Sequence, residues 1–378
     1  MGSVDQLFKD FNKQFKSEFC TKGAVTNYCQ RIPFSSKGAE YLLYGGIPRG
    51  RITELAGEEG GGKTTLSLDV VSNAQKLFQL EFDEEIEKLS SIEKPTKQQT
   101  NRLLELRERG PLQVLWIDCE NTFDEEWAGT LGVDVSNLYF MSPPSQSAEQ
   151  IFEMASQIID TGEIGLCVID SLGMMVSQQA YDKSIEDNTY GATAMALTVF
   201  SKKIEMICAK TNCALIGINQ VRDNMNAGYG GPSTVTPGGR CWRHSCSVRL
   251  QLRKSEFFDE QYKKVKNSTE NPYGHHIQIS VVKTKICKPN RKLGSFTLVY
   301  ESGIASLIDL VDLLLKYDLI VQGGAWFSFV NPETEEIYTD EEGATIKVQG
   351  QQNIPVFLTQ NPDILERYNN FVDGKIQA

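Results

Sequence analysis

Short apolar runs alternate with amphipathic stretches from about residue 51 onward, and that rhythm predicts the fold class. ITELAG, VLWID (114–118), LCVID (166–170) and CALIGIN (213–219) are hydrophobic runs followed by polar residues. Runs of this kind are buried on both faces, as the strands of a parallel sheet are. Between them KTTLSLDVVSNAQKLF, SAEQIFEMASQIID (147–160) and ATAMALTVFSKKIEMICAK (192–210) read as helices. The order is that of an α/β protein with a mainly parallel central sheet. Three later runs, SVRLQLRK (247–254), HIQISVVKTKI (276–286) and SFTLVY (295–300), alternate more strictly between apolar and polar. They are expected to be antiparallel additions to the sheet.

Three segments stand outside this rhythm. Val4 to Phe19 places Leu7, Phe8, Phe11, Phe15 and Phe19 on one side of an amphipathic helix. Such a helix packs on its own domain or on a neighbouring subunit, and the pattern leaves both open. Residues 83–110 hold seven acids, six bases and little core material, which predicts a solvated helical pair turning near Pro95, a structural excursion without chemistry, with a partner contact as the lesser reading. After Gly303, a helix with a Gly stop (SLIDLVDLLLKYDLIVQGG), the run WFSFVNPETEEIY and a last helix around PDILERYNNFV make a small α+β unit. The expected organisation is an N-terminal helix and strand over 1–32, an α/β core over 33–304 and a C-terminal domain over 305–378.

Composition narrows the function. The 378 residues are 40% hydrophobic and 23% charged, enough for a real core. No apolar run reaches the roughly 18 residues that span a bilayer, and the N-terminus has no apolar signal region. The expectation is a soluble cytoplasmic protein without membrane contact, nucleoid-associated if bacterial and in the host cytoplasm if viral. Three histidines and nine cysteines without C-x-x-C spacing argue for reduced thiols and against zinc. A net charge of −11 does not attract nucleic acid to the chain as a whole. Any DNA contact must be concentrated in a few loops or on one face.

Gly57-Glu58-Glu59-Gly60-Gly61-Gly62-Lys63-Thr64 fits G-x-x-x-x-G-K-[ST]. It follows a strand run and precedes a helical one, the context of a phosphate-binding loop. Its glycines let backbone N–H groups turn inward onto phosphate oxygens at a helix N-terminus. Lys63 is the charge for the β/γ-phosphates of ATP, Thr64 a Mg²⁺ ligand, and Thr65 continues the site. Asp170, ending an apolar strand, is the second Mg²⁺ ligand. Asp118 and Glu120 end another strand, and Glu120 is the candidate base for a water nucleophile. Asn219-Gln220 ends a fourth strand, where an amide reaches a γ-phosphate or its water. The long Gly-rich segment 221–240 that follows has almost no core residues, which marks a functional loop. It carries Arg222, Met225, Tyr229 and Arg240, suited to a backbone contact plus a base-wedging contact. A similar stretch, 177–191, follows Asp170. Lys283 and Lys285 occupy alternate positions of one strand and so point the same way.

Taken together, GRITELAGEEGGGKTT, IDCENTFD, VIDSLGMM, INQVRDN, TPGGR, VVKTKI and LVDLLLKYDLIVQGGAWFSF occur in an order that resembles the RecA-type DNA recombinase family, collinearly from about Arg31 to Phe371. The resemblance implies a RecA-like ATPase with Glu120 activating water, Asp170 as the Walker B acid and Gln220 sensing the γ-phosphate. It implies that 178–191 and 221–238 are DNA-binding loops, with Tyr190, Lys202, Arg222, Met225, Gly238, Gly239 and Arg240 as contacts. Lys283 and Lys285 would reach a neighbouring subunit's ATP, while Asp124, Trp127 and Tyr300 would flank the nucleotide. The implied activity is homologous pairing and strand exchange by a helical filament on single-stranded DNA, acting on duplex DNA, with single-strand-binding or loader proteins as further partners. Two departures bear on this. The 83–110 insert is absent from the common bacterial pattern, and Met195, Asp223, Asn224 and His244 differ from the usual residues. Fewer loop charges imply weaker and less salt-sensitive DNA binding. The rival readings are an accessory paralogue that binds ATP and DNA without strand exchange, and a ring helicase on the same fold.

Overall fold

The computed structural model describes residues 3–15, 29–182, 191–223, 234–266 and 271–377. It divides into two compact units, residues 1–30 and residues 31–378. In the first, Ser3–Phe15 forms a helix that leaves Val4, Leu7 and Phe11 exposed. Phe19, expected at its end, lies outside the described residues.

The second unit is built on one large sheet. Its strands lie in the spatial order Gly303–Ile304, Leu293–Val299, Gly274–Thr284, Val248–Phe258, Ile52–Gly57, Ala214–Gln220, Ile164–Asp170, Gln113–Asp118 and Leu138–Met141. From Val248–Phe258 to Leu138–Met141 every neighbouring pair is parallel. Ile52–Gly57 and Ile164–Asp170 are buried at every position, including the polar Thr53 and Glu54. Successive residues feed opposite layers. Val114 and Trp116 join the helix Lys63–Ser90 on one face, and Leu115 and Ile117 join the helices Ala148–Asp160 and Ala192–Thr211 on the other. Gly217 is part of this packing. A Cβ there would lie 2.6 Å from the Trp242 ring.

One expectation is corrected. SVRLQLRK was assigned to an antiparallel strand, but Val248–Phe258 runs parallel to Ile52–Gly57 and antiparallel only to Gly274–Thr284. Its alternation reports burial, not direction. Val248, Leu250 and Leu252 face the core, while Arg249 and Gln251 lie on a face that is only partly covered. The sheet changes sense at this strand. Gly274–Thr284 and Leu293–Val299 then continue antiparallel, as their pattern suggested.

The charged stretch 83–110 forms two helical pieces. The first is the far end of the 28-residue helix Lys63–Ser90. The second, Lys97–Arg109, starts at a capping box in which Thr96 and Gln99 satisfy each other's backbone N–H groups. Arg102 bridges the two pieces by donating to both carboxylate oxygens of Glu85.

Residues 306–377 have their own apolar cluster, with Leu310, Leu314, Phe329 and Tyr368 at its centre, beside a three-stranded antiparallel sheet. Arg291 ties this part to the rest. It donates to the carbonyls of Tyr41, Lys375 and Ile376 while stacking on the rings of Tyr41 and Tyr44. Lys37 adds an ion pair to Asp373.

Asp309 is buried in this seam and accepts the Thr297 N–H at 2.9 Å. Burial raises its pKa from 3.8 to about 8. The folded state therefore holds a proton that the unfolded chain releases near pH 4, so stability falls as pH rises from about 4 to about 8. Asp309→Asn removes that slope. The melting temperature of the variant, relative to the native chain, should rise steadily between pH 5 and pH 8; an offset that stays constant across this range would show that Asp309 does not titrate there.

Candidate active site

The parallel strands bring their carboxyl ends to one edge of the sheet. Register places Gly57 beside Gln220, and Asp118 beside Asp170. Residues far apart in sequence thus meet where open α/β sheets bind ligands.

The phosphate loop leaves its strand at Gly57 and enters the helix at Lys63. Gly62 caps that helix at φ 80°, and a Cβ there would lie 2.3 Å from Ile277 Cδ1. Both conformation and space demand glycine. The turn is narrow, with the Gly61 N–H donating to the Glu58 carbonyl at 3.1 Å. Glu58 and Glu59 point outward, exposed, and Gly60 turns at φ 63°. Lys63 folds back over the loop, its amine donating to the carbonyls of Gly57 at 3.1 Å and Glu58 at 2.7 Å. Burial lowers the Lys63 pKa, while the carboxylates of Asp170 and Glu120 oppose that shift. Thr65 is buried behind it. The loop, the positive end of a long helix and a lysine make an anion cradle.

Beside the cradle stand the carboxylates. Thr64 Oγ1 donates to Asp170 Oδ2 at 2.9 Å, joining the two expected Mg²⁺ ligands. Burial pushes the Asp170 pKa up to about 6; the Thr64 hydroxyl works against this, and the neighbouring Glu120 and Asp118 carboxylates add to it. Asp118 is a loop organiser. Its oxygens accept the N–H groups of Glu120 at 3.0 Å, Thr122 at 2.9 Å and Phe123 at 3.0 Å. The turn it holds carries Glu120, whose Oε1 accepts from the Ser171 hydroxyl and, at 3.2 Å, from Gln220 Nε2. Glu120, Ser171 and Gln220, each just at or past the end of a different strand, therefore meet at one oxygen.

The remaining expected residues lie further out. Asp124 caps the helix Glu125–Thr130 by accepting the Trp127 N–H at 2.9 Å, and Trp127 packs against the main apolar cluster. Tyr300 is 41% exposed, and its hydroxyl pairs with His275 Nδ1 at 3.0 Å. Lys283 and Lys285 both donate to the His244 carbonyl, at 2.9 and 2.7 Å, and Lys283 also to that of Arg243 at 2.6 Å. Their shared aim agrees with their alternate spacing. Lys283 lines a cavity of about 430 Å³ with Arg240, Arg243 and Arg249. Burial, and then the nearby Lys285 amine, lower the Lys283 pKa.

Of the expected DNA contacts, Lys202 is exposed on Ala192–Thr211. Arg222 is exposed in a two-residue strand, Arg222–Asp223, that pairs with Thr234–Val235 and closes the stem of the long loop. Gly238 and Gly239 turn at φ 102° and 75° to start the helix that carries Arg240. Tyr190 and Met225 lie outside the described residues.

Two groups escaped the sequence reading. Ser171 follows Asp170 directly, and its neighbour's assignment was its only signal. Glu54 lies fully buried in the strand of the phosphate loop, and a carboxylate within the apolar run ITELAG was a visible signal.

Asp118→Ala leaves three N–H groups without their acceptor and should destabilise the chain by about 2–3 kcal/mol. The urea unfolding midpoint measures this, and an unchanged midpoint would mean that water replaces the carboxylate at no cost.

Comparison with known proteins agrees with this arrangement. The family described as the RecA N-terminal domain matches residues 3–82 and 96–305. Residues 83–95, inside the charged helical excursion, fall outside the match. The protein called Protein RecA of Aquifex pyrophilus is 30% identical over 346 residues, covering 91% of this chain and 83% of that protein. Protein RecA of Chloroherpeton thalassium is 29% identical over 333 residues, covering 87% and 79%. Protein RecA of Staphylococcus carnosus is 28% identical over 382 residues, covering 99% and 90%. With the family match spanning well over half of the chain, the chain belongs to the RecA family and is a RecA-type recombinase.

Proposed function

We propose that the chain assembles on single-stranded DNA as an ATP-bound helical filament, pairs it with homologous duplex and exchanges strands, with hydrolysis releasing the DNA. The observation that carries this reading is the 3.2 Å bond between Gln220 and Glu120. Gln220 is the last residue before the long Gly-rich segment, so the chain that would hold DNA begins at the oxygen that would activate water.

The residues suit the groups they would hold. Backbone N–H groups of 58–64 and Lys63 face the phosphates, and Asp124, Trp127 and Tyr300 flank the nucleotide. Thr64 and Asp170 offer hard oxygens of the kind Mg²⁺ takes. An ion held there would supply positive charge against the phosphates. Glu120 accepts the proton of the attacking water, and Ser171 and Gln220 hold its carboxylate in place. Lys283 and Lys285 serve the ATP of an adjacent protomer, so that assembly and hydrolysis are joined. The exposed apolar side chains of Ser3–Phe15 make that helix a candidate for packing on the adjacent protomer. Lys202, Arg222, Gly238, Gly239 and Arg240, with Tyr190 and Met225, hold the DNA backbone and bases. Among the described residues no helix is long and apolar enough to cross a membrane, and we place the protein in the cytoplasm, with single-strand-binding or loader proteins as further partners.

The first test is ATP hydrolysis with and without single-stranded DNA at several protein concentrations. Steep stimulation, cooperative in protein, is expected, and activity indifferent to DNA overturns the reading. Glu120→Gln should lower DNA-stimulated hydrolysis by about a hundredfold or more while ATP still promotes DNA binding. Normal turnover in that variant removes Glu120 as the base.

Asp170, with its pKa near 6, must lose its proton before it can bind Mg²⁺. Hydrolysis should therefore fall as pH drops through about 6, and added Mg²⁺ should move this limb to lower pH. An acid limb that ignores Mg²⁺ belongs to another group.

A further inference from the structure

Glu54 lies three positions before Gly57 on the strand of the phosphate loop and is completely enclosed. None of the roles assigned above uses it. A buried carboxylate is tolerated only when donors surround it, and the donors here share a pattern. Its Oε1 accepts from Asn219 Nδ2 and from Trp242 Nε1, each at 3.0 Å. Its Oε2 accepts from Arg249 Nε, completing a charge-assisted pair.

Each donor belongs to a stem of the 221–238 segment or holds one. Asn219 immediately precedes Gln220, and its amide also donates to the Pro237 carbonyl at 3.0 Å. Arg249 reaches Thr236 Oγ1 at 3.1 Å through Nη2. Trp242 sits in the short helix Gly239–Ser245 that begins where the segment ends. The way into the segment and the way out of it are therefore gathered on one carboxylate. That carboxylate is rigidly placed, because Ile52–Gly57 is hydrogen-bonded between Ala214–Gln220 and Val248–Phe258 with Glu54 opposite Gly217 and Arg249.

We propose that Glu54 is a positioning residue: its carboxylate ties both stems of the 221–238 segment to the strand of the phosphate loop, so that DNA held by the segment sets the place of Gln220 against Glu120. The proposal rests on the recombinase reading above. Glu54 acts through Asn219 and Arg249 on the hydrolysis step, so its loss changes turnover and leaves nucleotide affinity alone.

The test compares the native chain with Glu54→Gln, Glu54→Asp and Thr236→Val. The readouts are kcat and KM for ATP with and without saturating single-stranded DNA, binding of a fluorescent ATP analogue, and the thermal unfolding midpoint. Glu54→Gln keeps the shape and an acceptor for Asn219 and Trp242 but turns a neutral amide towards Arg249. It should lower DNA-stimulated kcat about tenfold while KM and analogue affinity stay within about twofold. Glu54→Asp, which restores the charge, should recover part of the loss. Thr236→Val cuts only the far-stem link and should show a smaller loss in the same direction.

Full DNA stimulation in Glu54→Gln overturns the proposal. So does a loss of kcat equal with and without DNA and accompanied by weaker analogue binding, since that is a structural defect of the nucleotide site. Should Glu54→Gln not fold, Thr236→Val decides, and native stimulation in it overturns the proposal. A native chain that ignores DNA would overturn the recombinase reading and this proposal together. Stimulation of both the native chain and Glu54→Gln would remove only the role of Glu54.

Discussion

Three carboxylates, Asp118, Glu120 and Asp170, are crowded onto one edge of a parallel sheet, and the design of the site follows from keeping them there. Burial raises the Asp170 pKa, and the neighbouring Glu120 and Asp118 carboxylates add to the rise. Each is held by a different kind of donor. Asp118 is satisfied by three backbone N–H groups and so becomes structural. Asp170 takes the Thr64 hydroxyl, and Glu120 takes Ser171 and Gln220. Only Lys63 brings positive charge to the group from the phosphate loop, and its amine is spent on the carbonyls of Gly57 and Glu58. A divalent cation between Thr64 and Asp170 would relieve the crowding directly, which is why the same atoms that strain the apo site suit Mg²⁺.

Much of this could be read in the sequence, for a definite reason. The strands that carry the chemistry are buried on both faces, so they appear as unbroken apolar runs, and the polar residue that ends each run marks the edge of the sheet. Asp118, Asp170 and Gln220 stand out in that way, and Gly57 by the spacing of the phosphate-loop motif. Strand direction at Val248 was not, because an alternating pattern reports which face is wet and carries no information about the neighbour's sense. Ser171 and Glu54 were missed because a role made by side-chain contact across a hundred residues or more leaves no local periodicity. Asp124, Trp127 and Tyr300 rested on family likeness, Lys283 and Lys285 also on their alternate spacing, and the structure puts all five outside the hydrogen-bonded cluster of the same chain.

Charge explains how an acidic chain can be arranged to meet DNA. The net of −11 is offset where it matters by a local concentration of cations. Arg240, Arg243, Arg249 and Lys283 surround one cavity at the foot of the long segment, and Lys285 shares the His244 carbonyl with Lys283. Holding so many cations together requires compensation, which comes from the carbonyl end of the helix Gly239–Ser245 and from Glu54. The acidic surplus lies elsewhere, most of it in residues 305–378, which carry twelve acids against four bases. Non-specific attraction of DNA to the whole surface is thereby suppressed, and attraction to one region is kept.

The same arrangement makes traffic between the two ligands run both ways. Coupling between binding sites is reciprocal: if DNA on the 221–238 segment moves Gln220 towards the phosphates, phosphates that hold Gln220 must favour the segment in its DNA-binding form. The short path makes this plausible physically. Gln220 is both the last residue of a central strand and the first of the loop stem, with Glu120 at one side and Asn219, anchored to Glu54, at the other. A shift of the stem cannot be absorbed by the strand, which is paired on both sides, so it is expressed at the amide. On the proposed function, nucleotide and DNA would read one position of one side chain, and release of phosphate would free the loop by the same contact through which DNA promotes hydrolysis.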